Sequence, residues 1–119
     1  MNRKHHNLKT WIKAIELVKE IYQITNKFPK EEIYVMSAQM RRAAISIPSN
    51  IAEGAARRSN RELLNYLSIA RGSLSELETQ VIISKKLNYL QDENNLLDKI
   101  NEVFGLLGGL INAVKNKIE

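Results

Sequence analysis

The architecture of this chain is set by two neighbouring segments, QMRRAAISIPSNIAEGAARRS at residues 39–59 and RGSLSELETQ at residues 71–80. The first segment has the composition of a helix but contains a proline. Because Pro48 has no N–H and its ring crowds the carbonyl of Ala44, a proline inside a helix costs about 3 kcal/mol unless neighbouring structure compensates. We therefore expect the second helix of the chain to bend at Pro48, and the fold to depend on that bend.

Upstream of this stretch, two adjacent apolar stripes at helical spacing predict a first helix with a wide buried face. The first stripe contains Leu8, Trp11, Ile15, Val18 and Tyr22. The second stripe contains Leu17, Ile21, Ile24 and Phe28. Pro29 disfavours helical geometry at the residue before it, which predicts the end of this helix. Glu31 and Glu32 favour the start of the second helix, which should continue to about Arg57.

Downstream, Ser59 and Glu62 form the pattern of a capping box and predict the start of a third helix, which should reach about Tyr89. Asp92 is a candidate N-cap for a fourth helix from about Glu93 to Asn116. The apolar residues of this last segment alternate in steps of three and four, as in the seam of a helical bundle. They are Leu97, Ile100, Phe104, Leu107, Ile111, Val114 and Ile118.

No segment alternates apolar and polar residues in the manner of a half-buried strand, and the predicted connections are short. These features predict an all-α fold, an antiparallel up-down-up-down four-helix bundle, over a single domain of residues 1–119. We expect residues 1–7 to be a mobile N-terminal extension.

The composition excludes several classes of protein. The chain has 119 residues and no cysteine, so disulfides, thiolate metal sites and cysteine nucleophiles are excluded. It has neither a signal-peptide pattern nor about 18 consecutive apolar residues, which argues against secretion and membrane spanning. We therefore expect a cytoplasmic location.

The net charge of +5 is unevenly distributed. Residues 1–30 contain seven Lys or Arg against two Glu, whereas residues 91–119 contain three Lys against five Asp or Glu. An asymmetric basic surface can attract nucleic acid, an acidic protein or anionic lipid. A solvated basic face with no partner explains the same pattern equally well.

The two segments quoted at the outset closely resemble a family of four-helix-bundle proteins found as open reading frames within intervening sequences of bacterial 23S rRNA genes. Leu8 to Ala14 fits the family's opening helix, Phe28-Pro29 its first turn, and Lys86 to Leu90 the end of its third helix. The resemblance implies a left-handed bundle that assembles as a ring-shaped homo-oligomer, commonly a pentamer. It also implies distant kinship to the accessory variability protein of diversity-generating retroelements, which binds nucleic acid and a reverse transcriptase.

The arginines are the candidate nucleic-acid ligands. Arg57, Arg58 and Arg61 cluster where helices two and three meet, while Arg41 and Arg42 lie about 25 Å earlier along helix two. In a ring, these charges would repeat around a face or pore and neutralise several phosphates. Alternatively, the first group complements the negative end of helix two, and Arg41 or Arg42 pairs with a carboxylate.

The carboxylates Glu53, Glu76 and Glu78 are candidates for acid–base or metal chemistry, but the pattern does not favour it. Di-iron bundles use Glu-x-x-His pairs, whereas the histidines here are the adjacent His5 and His6. Glu76 and Glu78 are two residues apart and do not share a helix face. A structural role is preferred, in which Glu53 and Glu76 or Glu78 satisfy Arg42 or backbone groups freed near the proline.

Gly54 and Gly72 are predicted to mark close contacts between helices rather than phosphate-binding loops, because neither lies in a strand-to-helix glycine turn. We expect no cofactor and no metal. The leading hypothesis is a non-enzymatic homo-oligomer that binds RNA or DNA through basic residues. The alternative is a protein–protein assembly adaptor with no direct nucleic-acid role. An enzyme is disfavoured by the absence of a nucleophile–base pair, a cofactor loop or a metal constellation.

Overall fold

The computed structural model describes residues 3–118. Within that range the chain forms four α-helices and no β-strand: α1 Lys9–Thr25, α2 Met36–Ala55, α3 Asn60–Lys86 and α4 Asn94–Lys115. Two short 3-10 helices, Lys4–Asn7 and Lys30–Glu32, precede α1 and α2. The predicted all-α class with four helices is confirmed. Within these described residues, no helix has both the length and the apolar character needed to cross a membrane.

The four helices enclose one apolar core. α2 packs against α1 and α3, and α4 packs against the same two helices. Burial of a large aliphatic side chain stabilises the fold by about 1.5–3 kcal/mol relative to leaving it exposed. The largest fully buried side chains come from all four helices: Leu17, Ile21, Met40, Ile47, Ile51, Leu67, Leu74, Leu77, Leu96, Ile100, Leu107 and Ile111.

The two predicted apolar stripes of the first helix are buried to different extents. Leu17, Ile21 and Phe28 of the second stripe are buried, whereas Ile15 and Tyr22 of the first stripe are 43% and 38% exposed. The predicted wide face is therefore only partly buried within a single chain, because Leu8, Trp11 and Val18 pack against the core while Ile15 and Tyr22 stay exposed. Since α2 and α4 both pack on the core side of α1, residues 3–118 contain no further helix to cover the exposed part of the first stripe.

Pro48 lies inside α2 and is buried. Polar side chains on the same helix satisfy nearby groups, because the Asn50 amide donates to the Ser46 carbonyl at 2.8 Å and to the Ser46 hydroxyl at 2.9 Å. The hydroxyl oxygens of Ser46 and Ser73 lie 2.8 Å apart and share a hydrogen bond. The proline region of α2 is thereby linked to α3.

The predicted starts of α3 and α4 are close to those observed, whereas α2 begins at Met36, later than Glu31 and Glu32 indicated. The Ser59 hydroxyl accepts a hydrogen bond from the Glu62 N–H at 3.1 Å, so Ser59 is the N-cap of α3 as predicted. α4 begins at Asn94, one residue later than expected, so its N-cap is Glu93 rather than the predicted Asp92. The Asp92 carboxylate accepts a hydrogen bond from the Asn94 N–H at 2.9 Å.

α3 ends at Lys86, earlier than predicted, because the chain turns at a left-handed residue. Asn88 has φ of 63°. The Asn88 N–H donates to the Lys85 carbonyl at 3.0 Å, and the Tyr89 N–H donates to the Ser84 carbonyl at 2.9 Å. These two bonds are those of a Schellman motif, in which a left-handed residue satisfies the last carbonyls of a helix.

Residues 1 and 2 of the predicted N-terminal extension lie outside the described residues. Residues 4–7 form a 3-10 helix, and the ring centroids of His5 and Trp11 lie 5.1 Å apart. Burial, followed by the charge of His6, lowers the pKa of His5 below its ordinary value. The mobility of residues 1–7 stays a prediction.

Candidate nucleic-acid interface

The connection between α2 and α3 presents a continuous exposed basic surface. α2 ends at Ala55 and α3 begins at Asn60, so Arg57 and Arg58 lie in the connection and Arg61 in the first turn of α3. All three arginines are exposed. Arg57, Arg58 and Arg61 therefore all lie at this end of the molecule, and their role as one cluster stays a prediction.

Arg57 is held in place by its neighbours. Its Nη2 atom donates to the Tyr66 hydroxyl at 2.7 Å and to the Glu53 carboxylate at 3.2 Å. Its guanidinium carbon also lies 4.8 Å from the centroid of the Tyr66 ring, a cation–π distance. Arg57 thus fastens the end of α2 to α3. Sequence reasoning missed Tyr66, because a partner nine residues away on another helix has no local signal.

A cavity of about 220 Å³ opens beside this connection. The residues around it come from the start of α1, the end of α2, the start of α3 and the end of α4. Lys4, Arg57, Arg58 and Lys117 line it, and no acidic residue does so in the described part of the chain. The cavity is therefore a concave basic site built from sequence-distant segments.

The remainder of the cavity wall is largely apolar, so the site has a charged rim and a hydrophobic interior. Apolar side chains from all four helices or their caps contribute to this wall: Leu8, Ile51, Leu63, Leu67, Leu110 and Val114. Such a lining suits a ligand that combines an anionic group with an apolar or aromatic body.

The cations of the cavity differ in how they are paired. Within residues 3–118, the side chains of Lys4, Arg58 and Lys117 form no hydrogen bond or ion pair, whereas Arg57 is bound to Glu53 and Tyr66. Sequence reasoning missed Lys4 and Lys117, which come from opposite ends of the chain. The excess of Lys and Arg in residues 1–30 was the available signal for Lys4, and Lys117 had none.

Arg41 lies at the other end of α2 and is used for packing. Its Nε donates to the Thr25 hydroxyl at 2.8 Å, and its Nη2 donates to the Asn26 side-chain oxygen at 2.9 Å. Its guanidinium carbon lies 4.5 Å from the centroid of the Tyr22 ring. Arg41 therefore joins α2 to the end of α1 through two hydrogen bonds and a cation–π contact.

Arg42 and the three candidate carboxylates are not paired as anticipated. Glu53 pairs with Arg57 rather than with Arg42. Arg42 and Glu76 line the same shallow pocket, but Arg42, Glu76 and Glu78 form no ion pair within the described residues. Arg42 is exposed and remains available to an external anion.

The two candidate glycines differ. A Cβ atom at Gly54 would lie 2.9 Å from the Leu63 Cδ1 atom and 2.9 Å from the Tyr66 Cβ atom, so α2 and α3 approach closely there. At Gly72 a Cβ atom would meet nothing within 4 Å. The prediction that Gly72 marks a close helix contact is wrong within one chain, because this position on α3 faces away from the other helices.

An apolar groove runs between α1 and α2 on the outside of the molecule. Trp11, Ile15, Ile45 and Pro48 are among the residues that line it. Ile15 and Ile45 are 43% and 42% exposed. The groove is the location of the apolar stripe of α1 that the chain itself leaves uncovered.

Comparison with known proteins places the chain in a family. The family described as 23S rRNA-intervening sequence protein matches residues 6–109. The chain is also similar to a crystal structure of a protein with unknown function from the S23 ribosomal protein family of Bacteroides thetaiotaomicron, with 25% identity and a TM-score of 0.80. That match covers 87% of this chain and 95% of the other. Comparison with curated proteins finds no match. The family match spans most of the chain and agrees with the resemblance seen in the sequence, and the chain therefore belongs to the 23S rRNA-intervening sequence protein family.

Proposed function

We propose that this protein is a non-enzymatic, cytoplasmic, homo-oligomeric helical bundle that binds RNA or DNA through phosphate contacts. The observation that carries the proposal is the basic cavity at the α2–α3 connection, where three cations have no partner within residues 3–118. Lys and Arg side chains that neutralise phosphates release counterions, which gives salt-dependent and sequence-tolerant binding.

The arginines divide into two roles under this proposal. Arg58 in the α2–α3 connection and Arg61 in the first turn of α3, together with the exposed Arg42, contact phosphate oxygens. Arg57 lines the cavity while Tyr66 fixes its orientation, so it contributes charge in a constant position. Arg41 supports the fold, because Thr25 and Asn26 already accept its hydrogen bonds.

The proposed architecture is an antiparallel up-down-up-down bundle of a single domain, with α2 bent at Pro48. Two sets of contacts support it. The starts of α1 and α3 line the same cavity as the ends of α2 and α4. In addition, Arg41 near the start of α2 bonds to Thr25 at the end of α1.

We also propose that the chain assembles with copies of itself, as a ring and specifically a pentamer, through the groove between α1 and α2. The exposed Ile15 and Ile45 support this, because both line the groove and aliphatic side chains at one surface favour burial against a partner. Light scattering should report a molecular mass several times the 13.6 kDa of one chain. The variant Ile15→Glu should shift the protein toward the monomer, and Ile83→Glu on α3 is the control; a wild-type monomer would contradict the assembly.

Nucleic-acid binding is tested by fluorescence anisotropy with short RNA and DNA across a salt series. We expect affinity to fall steeply with salt. The double variant Arg58→Ala/Arg61→Ala should lower the logarithmic salt slope by about one for each phosphate that the protein no longer neutralises. Arg71→Ala, which removes another exposed arginine of α3, is the matched control. The absence of binding at low salt, or an affinity indifferent to salt, would contradict the proposal.

The alternative function, a protein–protein assembly adaptor, is favoured by one exposed segment. Ile33, Tyr34 and Val35 precede α2, and they are 48%, 91% and 53% exposed. Affinity purification after nuclease treatment distinguishes the two functions. One stoichiometric protein that is retained by wild type and lost with Tyr34→Ala would favour the adaptor.

A further inference from the structure

The basic cavity is more specific than a general phosphate-binding surface, because its charge is concentrated in a concave site. Four cationic side chains line it, and no carboxylate does so within residues 3–118. Two helices begin at the cavity and two end there, so their macrodipoles oppose one another. The positive potential of the site therefore comes from its side chains, of which Lys4, Arg58 and Lys117 are unpaired in the described chain.

The size of the cavity limits what can enter it. Its volume of about 220 Å³ lies below the roughly 300–1,000 Å³ of pockets that bury a drug-sized ligand. A concave site of this size can enclose a phosphate and part of the ring that carries it, rather than a whole drug-sized ligand. It does not follow the backbone of a strand that continues in both directions, as an open groove does.

The type of phosphate follows from the charge. A phosphomonoester carries a charge of about −1.5 to −2 at pH 7, whereas an internal phosphodiester carries one negative charge. Three unpaired cations in one cavity favour the more highly charged group. The apolar wall, which includes Leu8, Leu63 and Leu110, suits the ring of the sugar or base that carries the phosphate.

We propose that the basic cavity at the α2–α3 connection binds a phosphomonoester carried on a nucleoside, supplied by the terminal phosphate of an RNA or DNA strand or by a free mononucleotide. In its strand-end form this inference rests on the proposed function; in its mononucleotide form it does not. Arg58 and Lys117 hold the phosphate, Lys4 adds charge at the rim, and Arg57 is kept in orientation by Tyr66.

Isothermal titration calorimetry at fixed low salt tests the inference with four probes. They are adenosine monophosphate, adenosine, a short single-stranded RNA with a 5′-phosphate, and the same RNA with a 5′-hydroxyl. We expect the monophosphate to bind and adenosine not to bind. The terminal phosphate should raise the affinity of the RNA about tenfold, the effect of one hydrogen-bonded charge contact.

Substitutions assign the effect to the cavity. The double variant Arg58→Ala/Lys117→Ala should remove the preference for the terminal phosphate, whereas Arg71→Ala should retain it. Both arginines and Lys117 are exposed, so the variants should fold, and thermal unfolding followed by circular dichroism checks this. The single variant Lys117→Ala, which leaves the arginine cluster complete, should reduce the preference.

The outcomes separate this inference from the proposed function. Strand binding with no preference for a terminal phosphate, and no binding of the monophosphate, would overturn the cavity site while leaving general nucleic-acid binding in place. Binding of the monophosphate without strand binding would support the cavity site and contradict the proposed function. A terminal-phosphate preference that survives Arg58→Ala/Lys117→Ala would overturn the assignment to this cavity.

Discussion

The two ends of the four-helix molecule use the same types of side chain for different purposes. At the end with the basic cavity, Arg58 and Lys117 have no partner within residues 3–118. At the opposite end, Arg41 donates to Thr25 and Asn26. Both ends contain basic residues, and the two ends differ in how those residues are paired.

The opposite end is closed by a connected set of hydrogen bonds. The Tyr89 hydroxyl donates to the Glu32 carboxylate at 3.0 Å, and the same carboxylate accepts from the Met36 N–H at 3.2 Å. The Phe28 ring packs against Tyr89 with centroids 5.6 Å apart. The comparison of the two ends shows that the presence of a basic side chain does not by itself indicate its role. Its hydrogen-bond partners indicate whether it stabilises the fold or is available to bind a ligand.

The largest effect is expected from filling the close approach at the cavity end. Gly54→Ala should lower the free energy of unfolding by about 1–3 kcal/mol, because the new methyl group overlaps the Tyr66 Cβ atom and forces α2 from α3. Gly72→Ala is the matched control and should raise it by about 0.5–1 kcal/mol, because that site is open and alanine favours the helix. Urea denaturation measures the free energy of unfolding of both variants. Equal changes in the two variants would contradict the difference in packing between Gly54 and Gly72.

A second test compares alanine substitutions of the paired Arg41 and of Arg58, which is unpaired in the described chain. Arg41→Ala should lower the free energy of unfolding by about 1–2 kcal/mol, because it removes two side-chain hydrogen bonds and a cation–π interaction. Arg58→Ala should change it by less than about 0.5 kcal/mol, since this side chain is exposed and unpaired within residues 3–118. The affinity for RNA should show the reverse order, with a larger loss in Arg58→Ala than in Arg41→Ala. An RNA affinity more sensitive to Arg41→Ala than to Arg58→Ala would reverse the assignment of the two ends.

The turn after α3 gives a smaller effect at the closed end. Asn88→Gly should raise the free energy of unfolding by about 0.5–1 kcal/mol, because glycine adopts the left-handed conformation without a Cβ penalty. Asn88→Ala should lower it by a similar amount. Thermal unfolding of the two variants checks the sign, and a stabilising alanine would mean that the Schellman turn does not hold this end.

The smallest effect is a pH dependence at Tyr89. Its hydrogen bond to Glu32, followed by burial, raises the pKa of the Tyr89 phenol above its ordinary value of 10.0. The unfolded chain therefore loses this proton first, so the contribution to stability is complete below about pH 10 and is lost as the pH rises through the folded-state pKa. Urea denaturation between about pH 9 and pH 11 should show a decline that is smaller in Tyr89→Phe. An identical decline in both proteins would refute the role of this phenol.

Local patterns predicted the existence of all four helices, because each has an apolar stripe or cap that does not depend on distant residues. The buried face of α4 was predicted only partly correctly. Ile100 and Leu107 are buried as predicted, but Leu96 and Val103 occupy the core where Leu97 and Phe104 were expected. Both sets are built from steps of three and four residues, and the direction in which α1 and α3 approach α4 selects between them.

By itself, the sequence determined the all-α class, the family, the Ser59 cap and the cluster of arginines around residues 57–61. These follow from spacing within one helix or turn, where neighbours in sequence are neighbours in space. Only the tertiary structure decided that Arg41 is bound to α1, that Gly54 and Gly72 differ, and that Lys4 and Lys117 converge on the basic cavity. The physical reason is that these relations join residues of separate helices, whose packing no local pattern contains.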